Sequence, residues 1–471
     1  MALKNTHLGA AAIGEILSGG SKKIFFAGIG GISMCSLARV SQLRGHSVSG
    51  YDRARSDITR QLEACGIPVY NKEDPTHVTG CDLLVYTVAM PADNAEYAAA
   101  RAAGIPCVSR ADYLGYLMSG YDCRIGVSGM HGKSTTTSML EKIFSDAGRN
   151  PTVSCGAKMA SVHSTHKIGG EEYFIFEACE YMDSFLDFYP TIAIILNIEM
   201  DHVDYFHSME QIHTSFHKFL ERTGPSGIAL VNCADADVMQ AAAGYGGRLV
   251  TFGVETPEAD YCADAITLEK GCARFVLRHS GTPLCTVSLR IPGAHAVCDA
   301  LAAGAAAHLC GICGEEISRA LDTFHGLSRR MEPCGTAACG AAIYSDYAHH
   351  PTEVAATLSA AAQMGYRRIY CVFQPHTYSR TSRLFDGFAK ALSGIKDGEV
   401  VLAPIYSARE TDTLGVSSQR LADAIAKNGA VCRCIDPFAD IAAYLNSHGK
   451  KEDMFLIMGA GDITKVIPLL Q

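Results

Sequence analysis

The chain has 471 residues, 48% of them hydrophobic and 19% charged, which suits about three globular domains at ~100–200 residues each. Its formal charge of −9 excludes the basic face that nucleic-acid binding needs. No apolar run reaches the ~18–20 residues of a membrane span, and Glu15 interrupts the weakly apolar N-terminal stretch, so no signal peptide is read.

From the N-terminus, KKIFFAGIGG reads as a strand and a glycine turn, ISMCSLARVSQLRG as a helix stopped by Gly45, and HSVSGYD as a second strand. A strand at CDLLVYTVAM, a helix at NAEYAAARAAG and a strand at IPCVSR follow. Strands alternating with helices predict a parallel sheet. CRIGV is a further buried strand, and TTTSMLEKIFSDAG has helical spacing, with Met139, Ile143 and Phe144 on one face and Gly148 at its end. EYFIFEA and TIAIILNI read as buried strands and AHAVCDALAAGAAAHLCG as an Ala-rich helix. Beyond GLSRRMEPCG, the strand-like AAIYSDYA, RRIYCVF, EVVLAPI and MFLIMG alternate with helical stretches. The expected organisation is α/β throughout, with domains at 1–121, 122–328 and 329–471. No low-complexity linker or internal repeat is visible.

The stretch between CRIGV and its helix, Gly126–Thr137, reads GVSGMHGKSTTT. Gly129, Gly132, Lys133 and Ser134 form a short phosphate-binding loop in the strand–loop–helix setting that such a motif needs. Glycines let backbone N–H groups crowd a phosphate, and the helix N-terminus adds positive potential. Lys133 supplies a point charge for β/γ-phosphates and Ser134 a hydroxyl for Mg²⁺. Val127 stands where the longer form of the motif has its first glycine. An ATP site is expected here.

Gly28-Ile29-Gly30-Gly31-Ile32-Ser33 is near the dinucleotide fingerprint, with Ser33 in place of the last glycine and Asp52 at the end of the next strand. A bound diphosphate is expected; NAD and a UDP-sugar look alike at this level, and a plain βα turn is the bland alternative. Glu177 and Glu180 end a buried strand, where two acids suit Mg²⁺, unless they are solvated strand-end carboxylates. LNIEMDHVDYF carries Asn197, Asp201, His202 and Asp204; His202 is either a metal or phosphate ligand or part of a surface pair. Asp346-Tyr347-Ala348-His349-His350-Pro351 ends a strand and precedes a helix, Gln374, His376, Arg380 and Arg383 lie just beyond another strand, and Arg329 and Arg330 stand at the last domain junction. Such fixed cations hold phosphates or a carboxylate, or are solvated surface charges.

Of the 19 cysteines, most sit in apolar runs (Cys35, Cys179, Cys298, Cys371) and are read as small core residues of a protein in a reducing cytosol. Cys310 and Cys313 form one CxxC with no second ligand pair, so a helix end followed by a turn is expected there rather than zinc.

Taken together, AGIGGISM, VAMPADNAE, GMHGKSTTTSML, EACEYMDSFL, NIEMDHVD, IPGAHAVCDALAA, SRRMEP, DYAHHPTE, FQPHTYSRT and MGAGDI resemble the Mur ligases from about Lys23 to Asp462. DYAHHPTE and FQPH point to the alanine-adding branch. The resemblance implies a Rossmann-like UDP-binding domain, a central phosphate-loop ATPase with a mainly parallel sheet, and a C-terminal Rossmann-like domain that binds the amino acid. It implies ATP-dependent joining of L-alanine to the lactyl carboxylate of UDP-N-acetylmuramate through an acyl phosphate, by a cytoplasmic enzyme, monomer or dimer, of peptidoglycan precursor synthesis.

By the same resemblance, Gly28, Gly30, Gly31 and Asp52 contact the UDP-sugar. Gly129, Met130, His131, Gly132, Lys133, Ser134, Thr135, His295, Arg330 and Asp346 surround ATP. Ser134 and Glu177 hold one Mg²⁺, and His202 a second. Arg380 grips the amino-acid carboxylate with His349 and His376 nearby, and His349 is the candidate base for the amine, a task that imidazole suits. Three positions depart from the family pattern. Thr377 stands where relatives usually carry Arg, and Ala296 and Asp299 replace two Asn of the adenine-side helix. His217 and Lys218 occupy the region where sister ligases carry a carbamylated lysine, a feature not carried over.

Overall fold

A computed structural model describes residues 3–202, 205–408 and 410–471; Asp204 lies outside them. The chain divides into two compact units, Met1–Glu199 with Ser208–Phe252, and Met200–His207 with Gly253–Gln471.

The first unit holds two sheets. Strands β1 (Lys23–Ala27), β2 (Ser47–Tyr51), β3 (Val69–Tyr70), β4 (Leu83–Tyr86) and β5 (Cys107–Ser109) form a sheet in the order β3-β2-β1-β4-β5, parallel throughout. The order reverses at β1, and the glycine turn leaves the C-terminal end of that strand, where open α/β sheets bind ligands. The other sheet of this unit contains β6 (Cys123–Ser128), β7 (Thr152–Met159), β8 (Ser164–Lys167), β9 (Tyr173–Glu177), β10 (Ile192–Ile195), β11 (Ile228–Asn232) and β12 (Arg248–Val254), in the order β8-β7-β9-β6-β10-β11-β12. Only β8 runs antiparallel to its neighbour. Strands β6, β9 and β10 are near-continuous apolar runs because they are covered on both faces; Ile125, Val127, Ile175, Phe176, Ile194 and Ile195 are all buried.

An N-terminal arm packs on this unit. The Leu8 and Gly9 backbone N–H groups donate to the buried Asp112 carboxylate at 2.6 and 2.9 Å, and the Thr6 hydroxyl donates to it at 2.7 Å. The Asn5 amide donates to the Met182 carbonyl and the Ser184 hydroxyl. The arm therefore ties down the 3-10 segment Tyr181–Asp187, which starts just after Glu180.

In the second unit, β13 (Tyr261–Glu269), β14 (Cys272–His279) and β15 (Thr282–Pro292) form an antiparallel meander. Its two turns have positive φ at both central residues, Lys270-Gly271 and Ser280-Gly281, as the type I′ turns that match strand twist require. The Ala-rich helix His295–Leu309 follows. Cys310 caps its end and Cys313 starts the next helix, Gly314–Asp322, so the CxxC is a helix–helix turn as expected. The last sheet comprises β16 (Glu332–Thr336), β17 (Ala342–Asp346), β18 (Ile369–Phe373), β19 (Gly398–Leu402), β20 (Cys432–Cys434) and β21 (Met454–Met458), in the order β16-β17-β21-β18-β19-β20. All but β16 are parallel. Along β18, Ile369, Cys371 and Phe373 enter one core while Tyr370 and Val372 enter the other, the period-two signature of a sheet covered on both faces.

The cysteines are all free. Cys35 and Cys371 are buried as expected, but Cys179 and Cys298 are only partly buried: Cys179 sits in the loop after β9, and Cys298 lies in the first turn of its helix. An apolar neighbourhood in sequence does not choose the face of a helix.

Candidate active site

The phosphate loop leaves the C-terminal end of β6, between the ends of β9 and β10. Gly129 has φ +134°, and a Cβ there would lie 3.1–3.2 Å from Leu196 and the Asn197 backbone, so only glycine fits. Gly132, at φ +84°, starts the helix Lys133–Asp146, whose first turn has no side-chain cap. Its N–H groups are thus left for a ligand. Asn197, two residues past β10, braces the loop: its side chain accepts from the His131 N–H at 2.9 Å and donates to the His131 carbonyl at 3.0 Å. The His131 ring pairs with Glu199.

The Lys133 ammonium donates to the Gly129 and Met130 carbonyls and to both oxygens of Glu180, at 3.1 and 3.3 Å. Burial alone lowers a lysine pKa, but the Glu180 carboxylate outweighs it, and Lys133 is held above its ordinary value. Glu177 takes a different part. Its carboxylate accepts from the Gly156 N–H at 2.5 Å and from the Cys155 thiol at 3.1 Å, and that thiol also lies 3.7 Å from the Ser134 carbonyl. The two acids that sequence reasoning paired as metal ligands are therefore divided, Glu180 to Lys133 and Glu177 to the Ser134 side. Oxygen donors from Ser134 and Glu177 suit Mg²⁺. Thr135 lies in the same first turn.

In the first sheet, Gly28 adopts φ +87° and the Gly31 N–H closes the turn on the Gly28 carbonyl at 3.1 Å. Asp52 braces this turn, accepting from the Gly30 N–H at 3.0 Å.

The second unit brings together His202, Asp201 and Arg380. His202 has φ +47°, its N–H donates to Asp201 at 2.6 Å, and the Arg380 guanidinium lies 3.4 Å from the same carboxylate. Burial raises the Asp201 pKa, yet His202 and Arg380 overcome it and hold the carboxyl at about 2. Thr377, with φ +64° and ψ 147°, caps the helix Tyr378–Arg383. His376 stacks on Tyr406 and meets His349 edge-on; burial, with His349 and Arg380 nearby, pushes its pKa down to about 4.

Around Tyr347 the same unit gathers Arg330, Asp346 and His349. The guanidinium groups of Arg329 and Arg330 lie over the Tyr347 ring, and Arg330 also pairs with Glu353 at 3.4 Å. Asp346 is buried, and its two oxygens accept from the Met331 and Ala348 N–H groups, each at 2.8 Å; burial raises its pKa and Arg330 works against that. The His349 Nδ1 faces the Tyr347 carbonyl at 3.0 Å and the Glu353 carboxylate at 3.2 Å. Two acceptors there put the proton on Nδ1 and leave Nε2 as the acceptor nitrogen. His295 is exposed at the first position of its helix, while Ala296 and Asp299 turn inward.

Sequence reasoning missed the Lys133–Glu180 pair and the bracing by Asn197. Both come from loops just past strand ends, so the signal was position beside the phosphate loop rather than any motif.

The loop, its braced glycines and the parallel sheets define a nucleotide-binding α/β protein of the phosphate-loop class. Residues 23–122 match the Mur ligase family catalytic domain, residues 127–307 the Mur ligase middle domain and residues 329–461 the glutamate ligase domain. The chain belongs to the Mur ligase family and has its three-domain α/β architecture. It is 40% identical to UDP-N-acetylmuramate–L-alanine ligase of Clostridium novyi, over 96% of this chain and 98% of that one. It is 42% identical to the enzyme of the same name from Agathobacter rectalis, over 94% and 96%. Among solved structures it resembles UDP-N-acetylmuramate–alanine ligase of Thermotoga maritima, with TM-score 0.78 and 25% identity over 95% and 97% of the two chains.

Proposed function

We propose that the protein joins L-alanine to the lactyl carboxylate of UDP-N-acetylmuramate at the expense of ATP, for peptidoglycan precursor synthesis in the cytoplasm. The observation that carries this reading is the near-full-length identity of 40–42% to relatives of that name, with Lys133, Ser134 and Glu177 in place. Among the described residues no helix is long and apolar enough to cross a membrane. The working domain limits are 1–121 for the UDP-sugar, 122–328 for ATP and 329–471 for the amino acid.

A carboxylate is a poor acyl donor because oxide would have to leave. Transfer of the γ-phosphoryl group to the lactyl oxygen releases ADP and leaves an acyl phosphate. Lys133 exchanges its contacts with the loop carbonyls for the transferring phosphoryl oxygens and stabilises charge there. Ser134 and Glu177 would hold one Mg²⁺ and His202 a second, which when bound neutralise phosphate charge. The helix N-terminus at Gly132 presents its open N–H groups to the phosphates, while Arg330, Asp346 and His295 complete the nucleotide contacts. Arg380 orients the alanine carboxylate. His349, with Nε2 free to accept, takes the proton of the alanine ammonium; the amine then attacks the acyl carbon and phosphate leaves.

The test is ADP release by the purified protein with ATP, Mg²⁺, UDP-N-acetylmuramate and one amino acid at a time. Turnover that requires both acceptor substrates, with L-alanine ahead of glycine and L-serine, supports the reading. AMP as product, or turnover without an amino acid, sinks it.

A further inference from the structure

Arg110 is the first residue of the helix Arg110–Met118, and its side chain is partly buried. Its guanidinium makes one hydrogen bond, from Nη1 to the Ser33 hydroxyl at 3.2 Å. Among the described residues no carboxylate stands within ion-pair distance of it. The groups with acidic character close enough to act on it are Cys179 and Asp187. Cys179 is a thiol, a weak acid and no fixed counterion. Asp187 pairs with His7 at 2.5 Å instead. A cation partly withdrawn from water without a counterion is costly, and the one bond to Ser33 engages one of its five N–H donors.

Ser33 fixes where the guanidinium sits. It is the second residue of the helix Ile32–Leu43, which starts at the glycine turn and has no side-chain cap on its first turn. Arg110 is thus anchored beside the open helix start that leaves Gly28–Gly31. Cys179 is within electrostatic reach of both Arg110 and Lys133.

We infer that Arg110 is a substrate-binding residue that grips the diphosphate of the UDP-sugar, with Ser33 holding its guanidinium in register. A planar fork matches phosphate oxygens in pairs. The role also accounts for a charge that the protein itself leaves without a partner. The inference rests on the reading that a UDP-sugar binds at the glycine turn.

Isothermal titration of wild type and Arg110→Gln with UDP, UDP-N-acetylglucosamine and UDP-N-acetylmuramate tests it. All three ligands share the diphosphate, and only the last carries the lactyl carboxylate. The expected result is a loss of about ten- to a hundredfold for all three, the size of a charged hydrogen-bonding contact, with ATP affinity unchanged. Equal affinities in variant and wild type, or a loss confined to UDP-N-acetylmuramate, overturn the assignment. Failure of the wild type to bind any of the three would fault the underlying reading instead. Arg110→Lys keeps the charge and loses the fork; it should show a smaller loss across the same three ligands, and it serves where Arg110→Gln does not fold.

Discussion

The ammonium of Lys133 lies 3.1 Å from a carboxylate oxygen of Glu180, a residue with no solvent exposure. The loop lysine is thus held by a counterion from the segment after β9 as well as by the loop's own carbonyls. Breaking a buried pair by removing one partner costs about 3–5 kcal/mol because the other charge is left uncompensated. Lys133→Ala should therefore abolish ADP release and also lower the unfolding free energy. The double variant Lys133→Ala/Glu180→Gln should recover most of the stability and none of the activity. Chemical unfolding of the single and double variants decides this; equal stabilities would show that the pair is not coupled.

Arg380 shares the Asp201 carboxylate with the His202 N–H. If its guanidinium receives the amino-acid carboxylate, Arg380→Ala should raise KM for L-alanine about ten- to a hundredfold, the worth of a charged hydrogen bond. KM for ATP and for the UDP-sugar should stay within about twofold, below ~0.5 kcal/mol. Steady-state kinetics with each substrate varied in turn measures the difference. A uniform rise in all three KM values would assign Arg380 to structure.

His376 gives a pH dependence with a defined sign. Its folded pKa is about 4, against ~6.5 for a free imidazole. Above pH 6.5 both folded and unfolded forms are neutral and its contribution to stability is complete. As pH falls from 6.5 towards 4, the unfolded chain takes up a proton that the folded chain refuses, so stability falls by up to about 1.4 kcal/mol per pH unit from this one group. His376→Gln should remove that slope between pH 6.5 and 4 and leave the profile above pH 7 parallel to wild type. Unfolding curves across that range measure it, and identical slopes would refute the assignment.

Thr377 sits at φ +64° and ψ 147°, a region that β-branched residues avoid at a cost of about 1–3 kcal/mol. Glycine relieves that strain, and as a cap it costs only about a few tenths of a kcal/mol relative to threonine. Thr377→Gly should therefore raise the unfolding free energy by about 1 kcal/mol or more while loosening the start of the helix that carries Arg380. Differential scanning calorimetry alongside KM for L-alanine reads both effects; a less stable variant would mean that the threonine conformation is not strained.

Much of this architecture could be read before any coordinates. The α/β alternation, the glycine turns and the phosphate loop follow from runs such as IFFA and IAII and from glycines at strand ends, which carry strong local preferences. The meander Tyr261–Pro292 has visible turn glycines, Gly271 and Gly281, but its outer strands expose both faces near their ends and blur the alternation. The pairing of Glu180 with Lys133, of Asn197 with the loop and of Asp201 with Arg380 spans from 47 to 179 residues of sequence. Such partners are chosen by tertiary packing of loops past strand ends, and no local pattern encodes that. Arg110 escaped notice for the same reason: one arginine after a short strand gains meaning only when its missing counterion can be seen.

The N-terminal arm bears on how shortened forms of this protein should be cut. The family match begins at residue 23, and a cut there looks safe by alignment. It would strip the Asp112 carboxylate of the donors supplied by Thr6, Leu8 and Gly9, and it would untie the segment that follows Glu180. Deleting a stretch with no residue in the chemistry would thus reach the lysine of the phosphate loop through its counterion.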